Sequence, residues 1–292
     1  MLNTIAGDVV LLWGAKRNAL AFLAGALLVL ALPPFDFFAV GFVSFPVLLW
    51  LIEGAVPSPN ARGALKLYPA AVIGWFFGFG YFLAGLWWLG NAVIAESMEF
   101  AWAIPLAVLG LPALLAFFFS GSAMLARALW GRGIGATAAL AFGFGVGEWL
   151  RGFLFTGFPW NSLGLTIMPA APFIVAVNAL AVFVFALPGS FALSRFRWTG
   201  PVLAVFLLAG QAGYGVYRLN SEGAKAEPNG PIVRIVQPSV RQDEKWDAAV
   251  RDRIFSTYLE MTAQAPDAGK PGPALVIWPE TAVPFLFTDR PD

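Results

Sequence analysis

Two groups of residues in this chain have the types and spacing for chemistry. One is Glu280, which follows the apolar run Ala274-Leu275-Val276-Ile277-Trp278 across a single proline. That run reads as a strand, and in open α/β sheets chemistry sits beyond the carboxyl ends of strands. Taken alone, Glu280 is equally an ordinary solvated carboxylate. The other group is Glu148 and Arg151, three apart at the end of an apolar stretch, so that on a helix they share a face. Charges near a membrane are costly and are found paired or in functional roles. The spacing leaves both a structural ion pair and a substrate contact open. Close by lies Phe155-Thr156-Gly157-Phe158-Pro159-Trp160-Asn161, rich in aromatics and stiffened at Pro159. It suits either a cover over an acyl chain at the membrane surface or a plain re-entrant connector.

What is absent narrows the chemistry. There is no Cys and no His among the 292 residues. Disulfides, Cys/His zinc sites and a Ser-His-Asp triad are excluded within them; no metal and no cofactor is expected. The net charge of +1 offers no basic face for nucleic acid.

The elements that must position these residues fall into two parts. Hydrophobic residues make up 59% of the chain and charged ones 12%, with a mean hydropathy of +0.74. Soluble proteins carry about 25% charged residues, so lipid is the implied solvent. Residues 1–217 contain 15 of the 35 ionisable side chains, and the last 75 residues contain the other 20. Crossing a bilayer takes roughly 20 apolar residues in helix. Seven spans are predicted, at about 18–33, 37–55, 69–90, 102–127, 134–151, 172–193 and 199–217, the first closed by Pro33-Pro34. With a cytoplasmic N-terminus, inner segments carry Lys16, Arg17, Arg62, Lys66, Arg127, Arg132, Arg195 and Arg197, against Arg151 alone in the opposite loops between spans. That asymmetry fixes the orientation and leaves the tail outside. Trp87, Trp88, Trp102, Trp149 and Trp160 cluster near the predicted outer ends, as an interfacial belt would.

The tail begins with a polar linker over 218–230. Ile232-Val233-Arg234-Ile235-Val236 alternates like a strand, and apolar residues from 247 to 265 recur at helical spacing. Asp267 to Pro273 is a turn cluster before the second strand. The result is a β-α-β unit, whose right-handed crossover makes its strands parallel. At about 60 residues it is too small for a stable core of its own, and reads as the opening of a larger α/β domain.

Trp278-Pro279-Glu280-Thr281 resembles the nitrilase superfamily, whose first catalytic residue is a strand-end glutamate. Three further stretches resemble its membrane-bound branch, the apolipoprotein N-acyltransferase family. They are Gly78-Phe79-Gly80-Tyr81-Phe82 with Trp87-Trp88; Glu148-Trp149-Leu150-Arg151-Gly152 running on through Thr156-Gly157-Phe158-Pro159-Trp160; and Gln237-Pro238 with Lys245-Trp246. The resemblance implies a polytopic helical membrane domain over 1–217, then an extracytoplasmic αββα domain beginning in 231–292, in the cell inner membrane and facing the periplasm. It implies a Glu-Lys-Cys triad with Glu280 as general base, a lysine on the oxyanion, and a cysteine that takes an acyl group from a phospholipid and passes it to the amine of a diacylated apolipoprotein. Trp246 matches the family's tryptophan near the site mouth and Trp160 the aromatic of the membrane-side loop, with Phe158, Glu148 and Arg151 beside it as substrate contacts. The sequence departs from the pattern in having no cysteine, and Lys270 precedes Glu280 rather than following it. The 292 residues are therefore expected to be the front part of a longer protein and unable to transfer acyl groups alone.

Two other readings compete. A transporter or channel subunit with a small cap calls for polar residues or paired broken helices inside the spans, whereas mid-span positions here are almost wholly apolar. A nitrilase-type amidase on membrane anchors needs fewer than seven spans.

Overall fold

The structure, a computed structural model, describes residues 2–96, 98–170, 177–192, 198–222, 230–241, 244, 249–266, 271–280 and 282. The chain divides into two compact units, Met1–Gly223 and Ala224–Asp292.

The first unit is helical: α1 Leu2–Val10, α2 Gly14–Leu28, α3 Gly41–Glu53, α4 Tyr68–Gly85, α5 Leu89–Glu96, α6 Leu111–Ala128, α7 Ile134–Arg151, α8 Asn178–Ser190 and α9 Thr199–Glu222. Among the described residues, four helical stretches are long and apolar enough to cross a membrane: Gly14–Ala31, Gly63–Gly85, Glu99–Ala128 and Thr199–Ser221. They coincide with four of the seven expected spans. Near the other three lie the shorter apolar helices Phe38–Glu53 and Asn178–Ser190, and α7, whose Glu148 and Arg151 lower its apolarity.

Several boundaries differ from expectation for physical reasons. Helix α1, too short for a spanning window, packs Ala6 and Val9 into the core. Helix α9 continues through Asn220 and Ser221 to Glu222, into what composition marks as linker, because a helix satisfies its own backbone in water as in lipid. The Ser221 hydroxyl donates to the Tyr217 carbonyl at 2.8 Å within that last turn. The five tryptophans expected at an interface, Trp87, Trp88, Trp102, Trp149 and Trp160, are all exposed.

With lipid outside, helices gain little from burying apolar surface and associate through close backbone approach at small residues. Helices α2 and α4 do this: a Cβ on Gly25 would lie 1.9 Å from the Phe77 carbonyl oxygen, and one on Gly80 2.0 Å from that of Phe22. The core beyond them is aromatic. Phe77, Tyr81 and Phe82 of α4, Phe119 of α6 and Phe144 of α7 are buried together, with ring centroids 5.0–6.2 Å apart.

The second unit is a β-α-β element: β1 Val233–Ile235, α10 Arg251–Ala263 and β2 Leu275–Ile277. The strands pair in parallel, Val233 with Leu275 and Ile235 with Ile277. Bonds from the Val236 amide to the Ile277 carbonyl (3.0 Å) and from the Ala274 amide to the Ile232 carbonyl (2.8 Å) extend the ladder. Val236, Ile254, Tyr258 and Ala282 form its small core.

Candidate functional site

Helix α7 stops at Gly152, and the chain turns back through two residues of positive φ, Phe155 (52°) and Gly157 (80°). At Gly157 only glycine fits: a Cβ there would lie 2.5 Å from the Gly152 carbonyl oxygen, in a backbone region that side chains disfavour. The Phe158 amide then donates to the Arg151 carbonyl at 2.9 Å, closing the turn. The sharp reversal brings the segment 157–163 beneath the end of the helix it has just left.

Arg151, only 2% exposed, is the hub of that reversal. Its Nε and Nη2 donate to the two oxygens of Glu148, each at 3.0 Å, as a two-point fork. Its Nη1 donates to the carbonyls of Phe158 and, at 2.7 Å, Trp160, while Nη2 also reaches the Asn161 carbonyl at 3.4 Å. A guanidinium has five N–H donors, and all five have protein acceptors. Glu148, 5% exposed, also accepts from the Leu163 amide at 3.0 Å. The pair thus grips both ends of 158–163. Of the two roles its spacing allowed, the geometry supports the structural one, because no donor of Arg151 is left for a phosphate or carboxylate.

Neighbouring helices add to the grip. Tyr81 of α4 donates its hydroxyl to the Asn161 carbonyl at 3.0 Å, and the Arg151 guanidinium lies 5.2 Å from the centre of the Phe82 ring. On the α8 side, the Asn178 side-chain oxygen accepts from the Ser162 hydroxyl and the Gly164 amide, both at 2.6 Å. Sequence reasoning missed these roles for Tyr81 and Asn178. Asn178 had a readable signal, a lone amide side chain in an apolar run; Tyr81 lies 80 residues from its partner and had none of its own.

Above this scaffold is an apolar cavity of about 640 Å³ between α6 and the turn. Leu114, Phe117 and Phe118 line one side, Leu154, Phe155 and Phe158 the other, and Arg151 is the charged residue in the lining. Its volume is within the range of ligand sites, about 300–1,000 Å³. Phe158 stacks at a tilt on Trp160, centroids 5.3 Å apart, and Trp160 is 55% exposed.

In the second unit, Glu280 is exposed and stands just past the carboxyl end of β2. The approach to it is fixed by Trp278, whose indole N–H donates to the Thr262 hydroxyl at 2.9 Å and whose rings pack on Tyr258 and Phe255. Arg234 of β1 donates Nη1 to the carbonyls of Thr262 and Gln264, both at 2.6 Å, capping the C-terminal end of α10. Trp246 lies outside the described residues. Among those described, no cluster of acidic residues fit to bind a metal occurs.

Apolar helices packed through glycine and aromatic contacts, followed by a parallel β-α-β unit with a carboxylate at its strand end, define a polytopic membrane protein with an α/β element appended. The chain belongs to the apolipoprotein N-acyltransferase family. Residues 24–179 match the apolipoprotein N-acyltransferase N-terminal domain. Over its full length the chain is similar to proteins named apolipoprotein N-acyltransferase: 50% identical to that of Brucella suis and 50% to that of Rhizobium rhizogenes, covering 56% and 57% of those proteins. It is 48% identical to that of Sinorhizobium fredii, again along the whole chain and 56% of the relative. The chain therefore spans a little over half the length of the curated relatives it matches.

Proposed function

We propose that this protein works as an apolipoprotein N-acyltransferase, moving a fatty acyl chain from a membrane phospholipid to the α-amino group of the diacylglyceryl-cysteine that begins a lipoprotein. The observation that carries the reading is the near-half identity along the entire chain to proteins of that name. In this reading Glu280 is the general base. It takes the proton of a cysteine thiol, and the thiolate attacks the phospholipid ester carbonyl. A lysine steadies the oxyanion, lysophospholipid leaves, and a thioester remains. The lipoprotein amine then attacks the thioester, forming the amide and restoring the thiol. One hard transfer becomes two easier ones, with about 10²–10⁴-fold from the positioned base. The 292 residues contain no cysteine, so by themselves they form no thioester in this scheme.

The membrane arrangement belongs to the same proposal. Seven spans, with the N-terminus in the cytoplasm, put the linker from 218 and the domain beginning at 231 on the periplasmic face of the inner membrane. The four long apolar helices and the shorter α3, α7 and α8 support that count. A larger nitrilase-like sheet is supported by the exposed apolar face of the two strands, where Val233, Ile235, Leu275 and Ile277 point together. Trp160, Phe158 and Trp246 are read as substrate contacts.

The test is Glu280→Gln in a form of the protein extended to the relatives' length and reconstituted with phospholipid. Intact-protein mass spectrometry is expected to find acyl-thioester on the unsubstituted protein and none on the variant, at equal membrane insertion. Acylation of the variant at a near-normal rate overturns the base role.

A further inference from the structure

We propose that Arg151 is a positioning residue: with Glu148 it fixes the Phe158–Asn161 segment as one wall of the cavity beside α6, and that cavity takes the acyl chain of a bilayer phospholipid. The kinetic consequence rests on the acyl-transfer reading; the lipid contact rests on geometry alone.

The occupant follows from what lines the space. Leu114, Phe117 and Phe155 are exposed at its edge, on the surface of a unit whose long helices suit a bilayer, so acyl chains are the molecules at hand. The charged residue in the lining, Arg151, has all five donors committed to Glu148 and to the carbonyls of Phe158, Trp160 and Asn161. Nothing there recognises a headgroup, and an apolar chain leaves no partner unpaired. The wall is not self-supporting. Phe155 and Gly157 sit at positive φ, and the segment's carbonyls turn inward, where without a donor they face a costly burial. Arg151 supplies three of those donors at once, and Tyr81 backs it at Asn161 alone. Losing the guanidinium frees Phe158 to leave the cavity wall.

The chain is placed in vesicles of phosphatidylethanolamine and phosphatidylglycerol, doped with a phospholipid bearing a photoactivatable diazirine in mid-chain, and labelled sites are mapped by mass spectrometry. Label is expected to concentrate on Phe118, Leu154 and Phe155 relative to Val202 and Phe206, which are exposed on α9. Arg151→Met is expected to cut that excess by about fivefold, the scale of one lost hydrogen bond, with α9 labelling unchanged. Arg151→Lys, offering three donors for five, is expected to restore part of it. Leu114→Trp, which fills the mouth while sparing the clamp, is expected to remove the excess and decides the matter if the Arg151 variants fail to insert. Equal labelling of cavity and α9, or an excess that survives Leu114→Trp, overturns the proposal. In the extended form, Arg151→Lys is expected to raise KM for the phospholipid donor more than it lowers kcat; the opposite split refutes the positioning role. Glu280→Gln should abolish turnover and keep the labelling pattern, so failure of the acyl-transfer reading shows separately.

Discussion

Arg151→Met is the sharpest perturbation of the helical unit. The methionine keeps much of the side chain's apolar stem but removes a guanidinium that is 2% exposed. Glu148 stays behind, 5% exposed, with the Leu163 amide at 3.0 Å as its remaining partner described above. Breaking a buried ion pair from one side costs about 3–5 kcal/mol, because the surviving charge is left uncompensated. The carbonyls of Phe158 and Trp160 also lose their donor, at about 1–3 kcal/mol each if they stay buried and much less if the turn opens to water. The expected loss is therefore about 3–5 kcal/mol, the carbonyls relaxing outward. Glu148→Gln/Arg151→Met removes the stranded charge, and is expected to recover about 1–3 kcal/mol of it through coupling between contacting residues. The assay is reversible unfolding in mixed micelles titrated with dodecyl sulfate and followed by tryptophan fluorescence, for both single variants and the double. A loss below about 1 kcal/mol for Arg151→Met, or strict additivity in the cycle, refutes the buried-pair argument.

Gly80→Ala is diagnostic by sign. At an open helix position alanine is favoured over glycine by about 1 kcal/mol, but here the added Cβ meets the Phe22 carbonyl oxygen at 2.0 Å. Overpacking of about 1–3 kcal/mol should win, and the same titration should find destabilisation; a gain contradicts the close α2–α4 approach. Arg234→Met is expected to fray the last turn of α10, whose end carbonyls it caps. A helix-end cation is worth about 0.3–1 kcal/mol, so hydrogen exchange at amides 261–265 should quicken by about two- to fivefold, and unchanged exchange contradicts the cap.

Features written in side chains were legible, and those written in backbone were not. The expected limits of about 134–151 match α7, a run that is apolar up to Glu148 and flanked by Gly133 and Gly152. The pairing of Glu148 with Arg151 followed from a spacing of three. The carbonyl cradle around that pair had no signature, since every residue carries a carbonyl and only the folded turn decides which ones face inward. Span ends elsewhere drifted because short 3-10 turns, such as Val29–Ala31 after α2 and Met98–Ala103 ahead of α6, carry apolar residues like the helices they adjoin. Helix α5, Leu89–Glu96, was not expected: only its first two residues fall within the expected span 69–90, and the rest lies in the stretch left between spans. In the tail, strand alternation and helical periodicity both located their elements, and β1 and β2 pair in parallel as the crossover rule requires.

The proposed function requires that apolar helices carry the carboxylate at 280 to the outer surface of the membrane, where the proposed phospholipid donor would reach it. Because the chain has no cysteine, a single introduced thiol reports its own side without background. Ser221→Cys and Glu280→Cys are both at exposed positions, as is Ser58→Cys in the loop between α3 and α4. With a membrane-impermeant maleimide on intact spheroplasts, labelling is predicted at 221 and 280 at once, and at 58 only after permeabilisation. Labelling of 58 in sealed spheroplasts, with 221 and 280 protected, contradicts the account.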